Sequence, residues 1–353
     1  MRIVVATPLE PELVDRIRHV VPGAEVSFEP ALLPPPRYPS DHRGDPEFRR
    51  DQVGQRRFDE LLAGADVLLG VPGETPEALA HVVRTCSRLR WVQGNTAGMG
   101  EMVRRAGLTR EELDRVRFTS TAGVHGAQLA EWAMLGLLAF TKDLPRLLAD
   151  KADRRWRSYV VRELRGQTLL VLGLGGIGRE VARLARCLGM RVVGVRRAGQ
   201  RESVGGSPPD VDTVEEVHPP SALPELVGRA DAVVLALPGT PETAGLFSRA
   251  LIERLPHHAV VVNVGRGAAV DETALTEALA AGRIAGAALD VFATEPLPPD
   301  SPLWELPNVL ISPHTASVTP AENGRVVELF CDNLQRWVGH QPLRNLVDTE
   351  HFY

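Results

Sequence analysis

The chain has 353 residues, of which 44% are hydrophobic and 24% charged, with a formal net charge of -5. That length and balance predict two soluble α/β-sized domains, each able to bury its own core. The acidic balance argues against a nucleic-acid partner, and the lack of a long apolar run argues against a membrane span.

In chain order, MRIVVATP reads at once as a strand, with no secretory leader expected ahead of it. Further strands are predicted over 24–29, 65–71, 89–94 and 116–121. Their apolar residues are contiguous, as in strands covered on both faces, and the helical stretches between them predict a parallel sheet. The stretch 32–51, rich in Pro and charge, reads as a long surface loop. From Gly126 to about Asp150 a single long helix is predicted, apolar around much of its circumference and so covered on more than one side. A second strand series follows at 168–173, 191–195, 231–237, 259–264, 285–291 and 308–312. One helix, roughly 320–338, then closes the chain; it is too short to be a domain, so it is expected to return to the first one. Cys86, Cys187 and Cys331 are scattered, with no Cys-x-x-Cys or Cys/His spacing. A reducing cytoplasm and no metal are therefore expected.

Chemistry first becomes legible at TLLVLGLGGIGREVARL. Gly173, Gly175 and Gly178 keep G-x-G-x-x-G spacing between an apolar strand and a helix with Ile177, Val181 and Leu184 on one stripe. In that context the glycines read as a dinucleotide site: a tight turn, a close approach to the pyrophosphate, and close helix packing. The N–H groups of Gly176, Ile177 and their neighbours at the positive helix end would meet the diphosphate. The next strand ends at Val195, where such a unit commonly carries an acid for the ribose hydroxyls. Here Arg196 and Arg197 follow, and a guanidinium pairs with phosphate oxygens. The pair favours NADP(H), with NAD(H) as the alternative.

Three later strands end in chemically active residues. VVNVGRG presents Arg266; ALDVFATEPLP presents Asp290 and Glu295; ISPHTAS presents His314. Ligands of open parallel sheets bind outside the carboxyl ends of the strands, so these residues are expected on the edge that holds the glycine turn. An imidazole can exchange a proton with a hydroxyl or carbonyl oxygen, a carboxylate partner fixes its tautomer, and an arginine can hold a substrate carboxylate. Each residue taken alone could be an ordinary loop group. His218, His257 and His258 read as surface residues, and His125 as a bland residue near the domain hinge.

With RELRGQTLLVLGLGGIG, LALPGTPETAGLF, VNVGRGAAVD, ALDVFATEPLP and SPHTAS in this order, the chain resembles the D-isomer-specific 2-hydroxyacid dehydrogenase family, in its glyoxylate/hydroxypyruvate reductase-like branch. The resemblance covers nearly the whole chain. It implies two similar parallel-sheet α/β domains with the active site in the cleft between them: a flavodoxin-like substrate domain, 1–124 plus 316–353, and an inserted Rossmann NAD(P)-binding domain, 125–315. It assigns Arg266, Glu295 and His314 to catalysis and Asp290 to the nicotinamide carboxamide. Leu237 and Pro238 fall beside the adenine, and Val264 joins the cofactor contacts. WVQGNTAGMG resembles the loop whose backbone amides bind the substrate carboxylate, with Thr96, Ala97 and Gly98 at the contact. Gly100 stands where the family often has an acid.

The expected activity is reduction of a small 2-oxo acid to a D-2-hydroxy acid, with His314 as general acid/base and a homodimer as the assembly. Two alternatives keep the same triad: a phosphite-type dehydrogenase, and a cofactor-sensing, non-catalytic binding protein of the corepressor-like branch. The formate-oxidising type carries glutamine where this chain has Glu295.

Overall fold

The computed structural model describes residues 1–197 and 214–352. They form two compact units, one of Met1–Val124 with Val318 onward, the other of the described residues from His125 to Ser317. Each is built on a wholly parallel sheet.

In the first unit the strands are β1 (Arg2–Val5), β2 (Glu25–Ser27), β3 (Val67–Leu69), β4 (Trp91–Gln93) and β5 (Arg117–Thr119). Their order is β2-β1-β3-β4-β5. The central runs are apolar because both faces are covered: Val67, Leu68 and Leu69 are fully buried. On one face lies the helix Glu322–Val338, whose Phe330 stacks on Trp91 at 5.1 Å, with Trp337 at 5.7 Å on the same ring. Ile3, Val5, Val327 and Leu334 complete that layer. Large aromatic and aliphatic groups of this kind dominate the driving force for docking a terminal helix.

The second unit holds β6 (Thr168–Leu172), β7 (Arg191–Val195), β8 (Glu216–His218), β9 (Ala232–Leu235), β10 (Val260–Asn263), β11 (Gly286–Leu289) and β12 (Val309–Ile311). Their order is β12-β11-β10-β9-β6-β7-β8. The chain runs outward from β6 to β7 and β8, then returns to β9 on the other side of β6. The direction of winding therefore reverses at the β6/β9 pair, which makes its carboxyl end the place for a ligand in a doubly wound sheet. In the first unit the same reversal falls between β1 and β3.

Several expectations are corrected. The predicted helix 126–150 is two helices, Gly126–Thr141 and Leu144–Ala152, broken at Asp143, whose φ of 55° is left-handed. The stretch 32–51 is irregular, but Ser40, Asp41 and His42 within it are buried, so it is not a plain solvent loop. Asp41 ties it by accepting from Arg37 and from the Gly44 N–H, while His42 Nε2 lies 2.8 Å from Asn323 Oδ1. His218 is half-buried on the short edge strand β8, 2.9 Å from Glu216. The helices Met99–Arg105 and Arg110–Arg115 occupy a region whose secondary structure the sequence left unspecified. No helix of the described residues is long and apolar enough to cross a membrane.

Candidate active site

The glycine turn follows β6. Gly173 has φ 96°, and a Cβ there would come within 2.6 Å of the Ala236 carbonyl oxygen, so the turn requires glycine both for its backbone and for the approach to β9. A Cβ on Gly178 would sit 1.8 Å from the Gly173 carbonyl oxygen, which leaves hydrogen as the side chain that fits. Gly175 differs. A Cβ built there meets nothing within 4 Å, so the backbone borders open space at the start of the helix Gly176–Cys187. The first N–H groups of a helix have no partner within it. Open space over those donors, on the reversal edge of the sheet, fits a diphosphate. Arg179 reaches back from the first turn, donating from Nε to the Leu174 carbonyl at 3.0 Å.

Arg196 and Arg197 lie at the end of β7, both partly buried. The Arg196 N–H donates to the His218 carbonyl at 3.1 Å, which fixes the backbone beside the edge strand. Leu237 and Pro238 follow β9, and Val264, 3% exposed, follows β10 with its N–H on the Leu235 carbonyl at 3.0 Å.

The polar side chains gather at the ends of β10, β11 and β12. His314 Nδ1 lies 2.7 Å from Glu295 Oε2, and Glu295 Oε1 accepts from the Phe292 N–H at 3.0 Å. Partial burial alone would push the Glu295 carboxyl up. The bonds from His314 and Phe292, with the charges of His314 and Arg266, outweigh it and hold the carboxyl below its ordinary value. Arg266 is thus within electrostatic reach of the pair, and its Nη1 donates to the Gly265 carbonyl at 2.7 Å. The structure brings Arg266, Glu295 and His314 into one electrostatic group.

Asp290 is 1% exposed and supports that group from below. Its Oδ1 accepts from Ser312 Oγ at 2.6 Å and from the N–H groups of Thr315 and Ala316, both at 3.0 Å. Its carbonyl takes the His314 N–H at 2.9 Å. His314 itself has φ 56°. A left-handed non-glycine residue persists where its surroundings overdetermine it, and Asp290 supplies that determination. Two supports were not singled out from the sequence. Asn263, 1% exposed, donates to the Arg266 carbonyl at 3.0 Å and accepts from the Gly265 N–H at 3.1 Å. Glu272 accepts from the Ala293 N–H at 2.8 Å and so tethers the loop that carries Glu295. The available signal was weak: Asn263 is one polar residue ending an apolar run.

In the first unit, Thr96, Ala97 and Gly98 lie between β4 and the helix Met99–Arg105, with Ala97 exposed. The Thr96 carbonyl accepts from the Thr121 N–H at 3.2 Å. His257 and His258 are exposed, and His125 stands at the N-terminus of the helix Gly126–Thr141.

Comparison with known proteins bears on the family and the fold. The model described as "D-isomer specific 2-hydroxyacid dehydrogenase, NAD binding domain" matches residues 134–316. The chain is 31% identical over 290 residues to the D-3-phosphoglycerate dehydrogenase of Archaeoglobus fulgidus, covering 78% of this chain and 52% of that one. It thus spans about half the length of that relative. It is 34% identical over 241 residues to the glyoxylate reductase of Korarchaeum cryptofilum, covering 66% of this chain and 69% of that one. The NADPH-dependent glyoxylate/hydroxypyruvate reductase of Sinorhizobium meliloti, solved in complex with NADP and sulfate, superposes with a TM-score of 0.77. It is 26% identical and is covered over 99% of its length by 100% of this chain. The chain belongs to the D-isomer-specific 2-hydroxyacid dehydrogenase family.

Proposed function

We propose that the protein reduces a small 2-oxo acid, of the glyoxylate or hydroxypyruvate kind, to the D-2-hydroxy acid with NADPH. The observation that carries this reading is the His314–Glu295 pair, 2.7 Å apart on the sheet edge that also bears the glycine turn. The Glu295 carboxylate accepts from Nδ1–H and holds the ring in place, so that protonated His314 presents Nε2–H to the carbonyl oxygen as that oxygen gains charge. Arg266 and the backbone N–H groups of Thr96–Gly98 hold the substrate carboxylate. Bound NADPH supplies the hydride to the carbonyl carbon. The sum is one hydride and one proton added across C=O, with His314 left neutral to be reprotonated from solvent.

The helix Gly176–Cys187 would receive the diphosphate, Leu237, Pro238 and Val264 would line the nucleotide, and Asp290 would take the carboxamide. Arg196 and Arg197 would take the 2′-phosphate. The NADP in the S. meliloti reductase supports that cofactor choice.

The working unit in this reading is a homodimer. Large apolar side chains are exposed on the helices Gly126–Thr141 and Leu144–Ala152 and on the segment after them: Leu135, Leu147, Leu148, Trp156 at 99% and Val160 at 96%. Exposed apolar groups at that density mark association surfaces, and a second copy is the simplest cover. The free thiols of Cys86, Cys187 and Cys331 fit a reducing compartment such as the cytoplasm.

The deciding experiment is loss of NADPH absorbance with a panel of 2-oxo acids. Turnover of glyoxylate or hydroxypyruvate is expected. Tight NADPH binding with no turnover of any 2-oxo acid would instead assign the chain to cofactor sensing.

A further inference from the structure

We propose that Glu74 is a positioning residue for the Thr96–Gly98 loop: it clamps the Asn95 carboxamide so that the loop's backbone N–H groups stay fixed for a substrate carboxylate. The inference rests on the reading of that loop given above.

The clamp is assembled from the carboxyl ends of four strands of the first sheet. Asn95, 1% exposed, follows β4, and its Nδ2 donates both hydrogens, to Thr7 Oγ1 after β1 and to Glu74 Oε1 after β3, each at 3.0 Å. Its carbonyl accepts from Thr121 Oγ1 after β5 at 3.1 Å. The next residue, Thr96, is held through its carbonyl by the Thr121 N–H at 3.2 Å. Gly70 makes room for this convergence: a Cβ there would come within 2.6 Å of Thr7 Cβ and 3.0 Å of Asn95 Nδ2. Thr7, Gly70 and Glu74 follow the β1/β3 pair, where the winding reverses and an open parallel sheet places its ligand; Asn95 and Thr121 follow the next two strands, β4 and β5.

Glu74 is expensive for the fold to keep there. It is 8% exposed and has φ 55°, directly after Gly73 at φ 64°. A left-handed glutamate with a buried carboxyl is disfavoured by backbone sterics and by desolvation together. Burial pushes the carboxyl above its ordinary value, and Glu322 adds to that push; the charges of His42 and Arg43 and the Asn95 bond pull the other way without overcoming it. An apolar side chain would escape the desolvation, though not the left-handed backbone, and it would leave a buried amide N–H of Asn95 unpaired. The carboxyl takes the second hydrogen of the Asn95 amide; Asn95 Oδ1 is buried without a partner among the described residues, so the anchor is made through Nδ2 and the backbone carbonyl, and it fixes the residue that leads into the loop. Supporting shells of this kind hold binding groups within the narrow tolerance that recognition needs.

The test uses the full-length protein, deuterated and 15N-labelled. Two variants are compared with wild type: Glu74→Ala, which removes the acceptor, and Glu74→Gln, which keeps one of the same shape. Amide order parameters at Thr96, Ala97 and Gly98 are read alongside KM and kcat for glyoxylate and Kd for NADPH. In Glu74→Ala the order parameters are expected to fall from about 0.85 to below about 0.6. KM rises about tenfold or more while kcat and the NADPH Kd stay within about threefold, the pattern of lost uniform binding. Glu74→Gln restores the loop and the KM. Order parameters unchanged in Glu74→Ala, or lost equally in both variants, overturn the assignment. If wild type turns over no 2-oxo acid, the functional reading falls, and the order parameters alone still decide the clamp. Should Glu74→Ala fail to fold, Asn95→Leu deletes the amide that Glu74 holds at nearly the same volume; unchanged order at Thr96–Gly98 there overturns the clamp.

Discussion

Glu295 holds His314 with one carboxylate oxygen and the backbone of its own loop with the other: Oε2 lies 2.7 Å from His314 Nδ1, and Oε1 accepts the Phe292 N–H at 3.0 Å. The carboxylate is therefore not free to swing away from the imidazole. Removing the imidazole should leave the nucleotide site intact and take away proton transfer. For His314→Ala, kcat for glyoxylate reduction is expected to fall about 10²- to 10⁴-fold, the usual contribution of a positioned general acid. The NADPH Kd, followed by fluorescence, should change by less than about threefold, because removing a group that acts on the transition state leaves ground-state binding largely intact. Equal losses in kcat and in cofactor binding would remove His314 from its assigned role.

The same pair fixes a pH dependence. The folded-state Glu295 carboxyl lies below its ordinary value, with the His314 bond and charge among the causes. A depressed folded-state value means that its contribution to stability is fully present above the unfolded-state value of about 4.3 and is lost as pH falls through the lower folded-state value. A carboxyl-13C titration should place the wild-type Glu295 midpoint below about 4.3. In His314→Ala two of the lowering influences vanish while burial remains, so the midpoint should rise. A midpoint that does not move would show that His314 is not what holds the carboxylate ionised.

Much of this architecture can be read from the chain, and for definite physical reasons. Parallel strands covered on both faces must be contiguous and apolar, so runs such as VLL at 67–69 and VVVN at 260–263 stand out without any tertiary knowledge. The glycine turn stands out because sterics dictate its residues: no other side chain fits 1.8 Å from a carbonyl oxygen at Gly178. The strand Glu216–His218 does not stand out, because a half-exposed edge strand of three residues has no apolar run. The helix break at Asp143 is hidden because the left-handed residue is not glycine. Supports such as Asn263, Asp290 and Glu74 act on backbone groups or on side chains brought near by folding. Asp290 stands in a recognisable motif, yet its hold on the Ser312–Ala316 loop spans more than twenty residues and leaves no local pattern. The roles of Arg266, Glu295 and His314 were suggested chiefly by family resemblance; the contacts supply the physical reason those three could work together.

The exposed apolar surface bears on assembly. Trp156 is 99% exposed, and the segment carrying it is tethered by Arg157 bonded to Asp150 and by Arg146 stacked 3.7 Å from the Tyr159 ring centroid. A tethered, solvent-facing tryptophan is an unfavourable thing for a monomer to keep and a common anchor in an interface. Light scattering after size exclusion should give about twice the 38.4 kDa chain mass for wild type. Trp156→Glu with Val160→Asp should shift it to the single-chain mass while the circular dichroism spectrum is retained. A wild-type mass of one chain would remove the homodimer.

In the proposed reading, cofactor choice turns on two cations at the end of β7. Arg196 has its backbone fixed by the His218 carbonyl at 3.1 Å, so the residue cannot slide along the edge strand. At this point an acid would bond the ribose hydroxyls and repel a 2′-phosphate, whereas a guanidinium gains paired, charge-assisted bonds to the phosphate oxygens. Bonds to charged groups are each worth about 1.5–3 kcal/mol, and 1.4 kcal/mol is a factor of ten. Replacing both arginines with alanine should therefore cut kcat/KM for NADPH by about 10- to 100-fold or more, because those bonds exist only when the 2′-phosphate is present. The same variant should use NADH about as well as wild type does, since the proposed diphosphate site lies elsewhere, at the helix Gly176–Cys187. Salt offers an independent check: screening weakens a guanidinium–phosphate attraction that is partly open to solvent, so the NADPH advantage expected of wild type should shrink as ionic strength rises. A double variant that loses NADPH and NADH equally would show that the arginines serve the fold or the diphosphate, and a wild type that prefers NADH would place the pair outside cofactor recognition altogether.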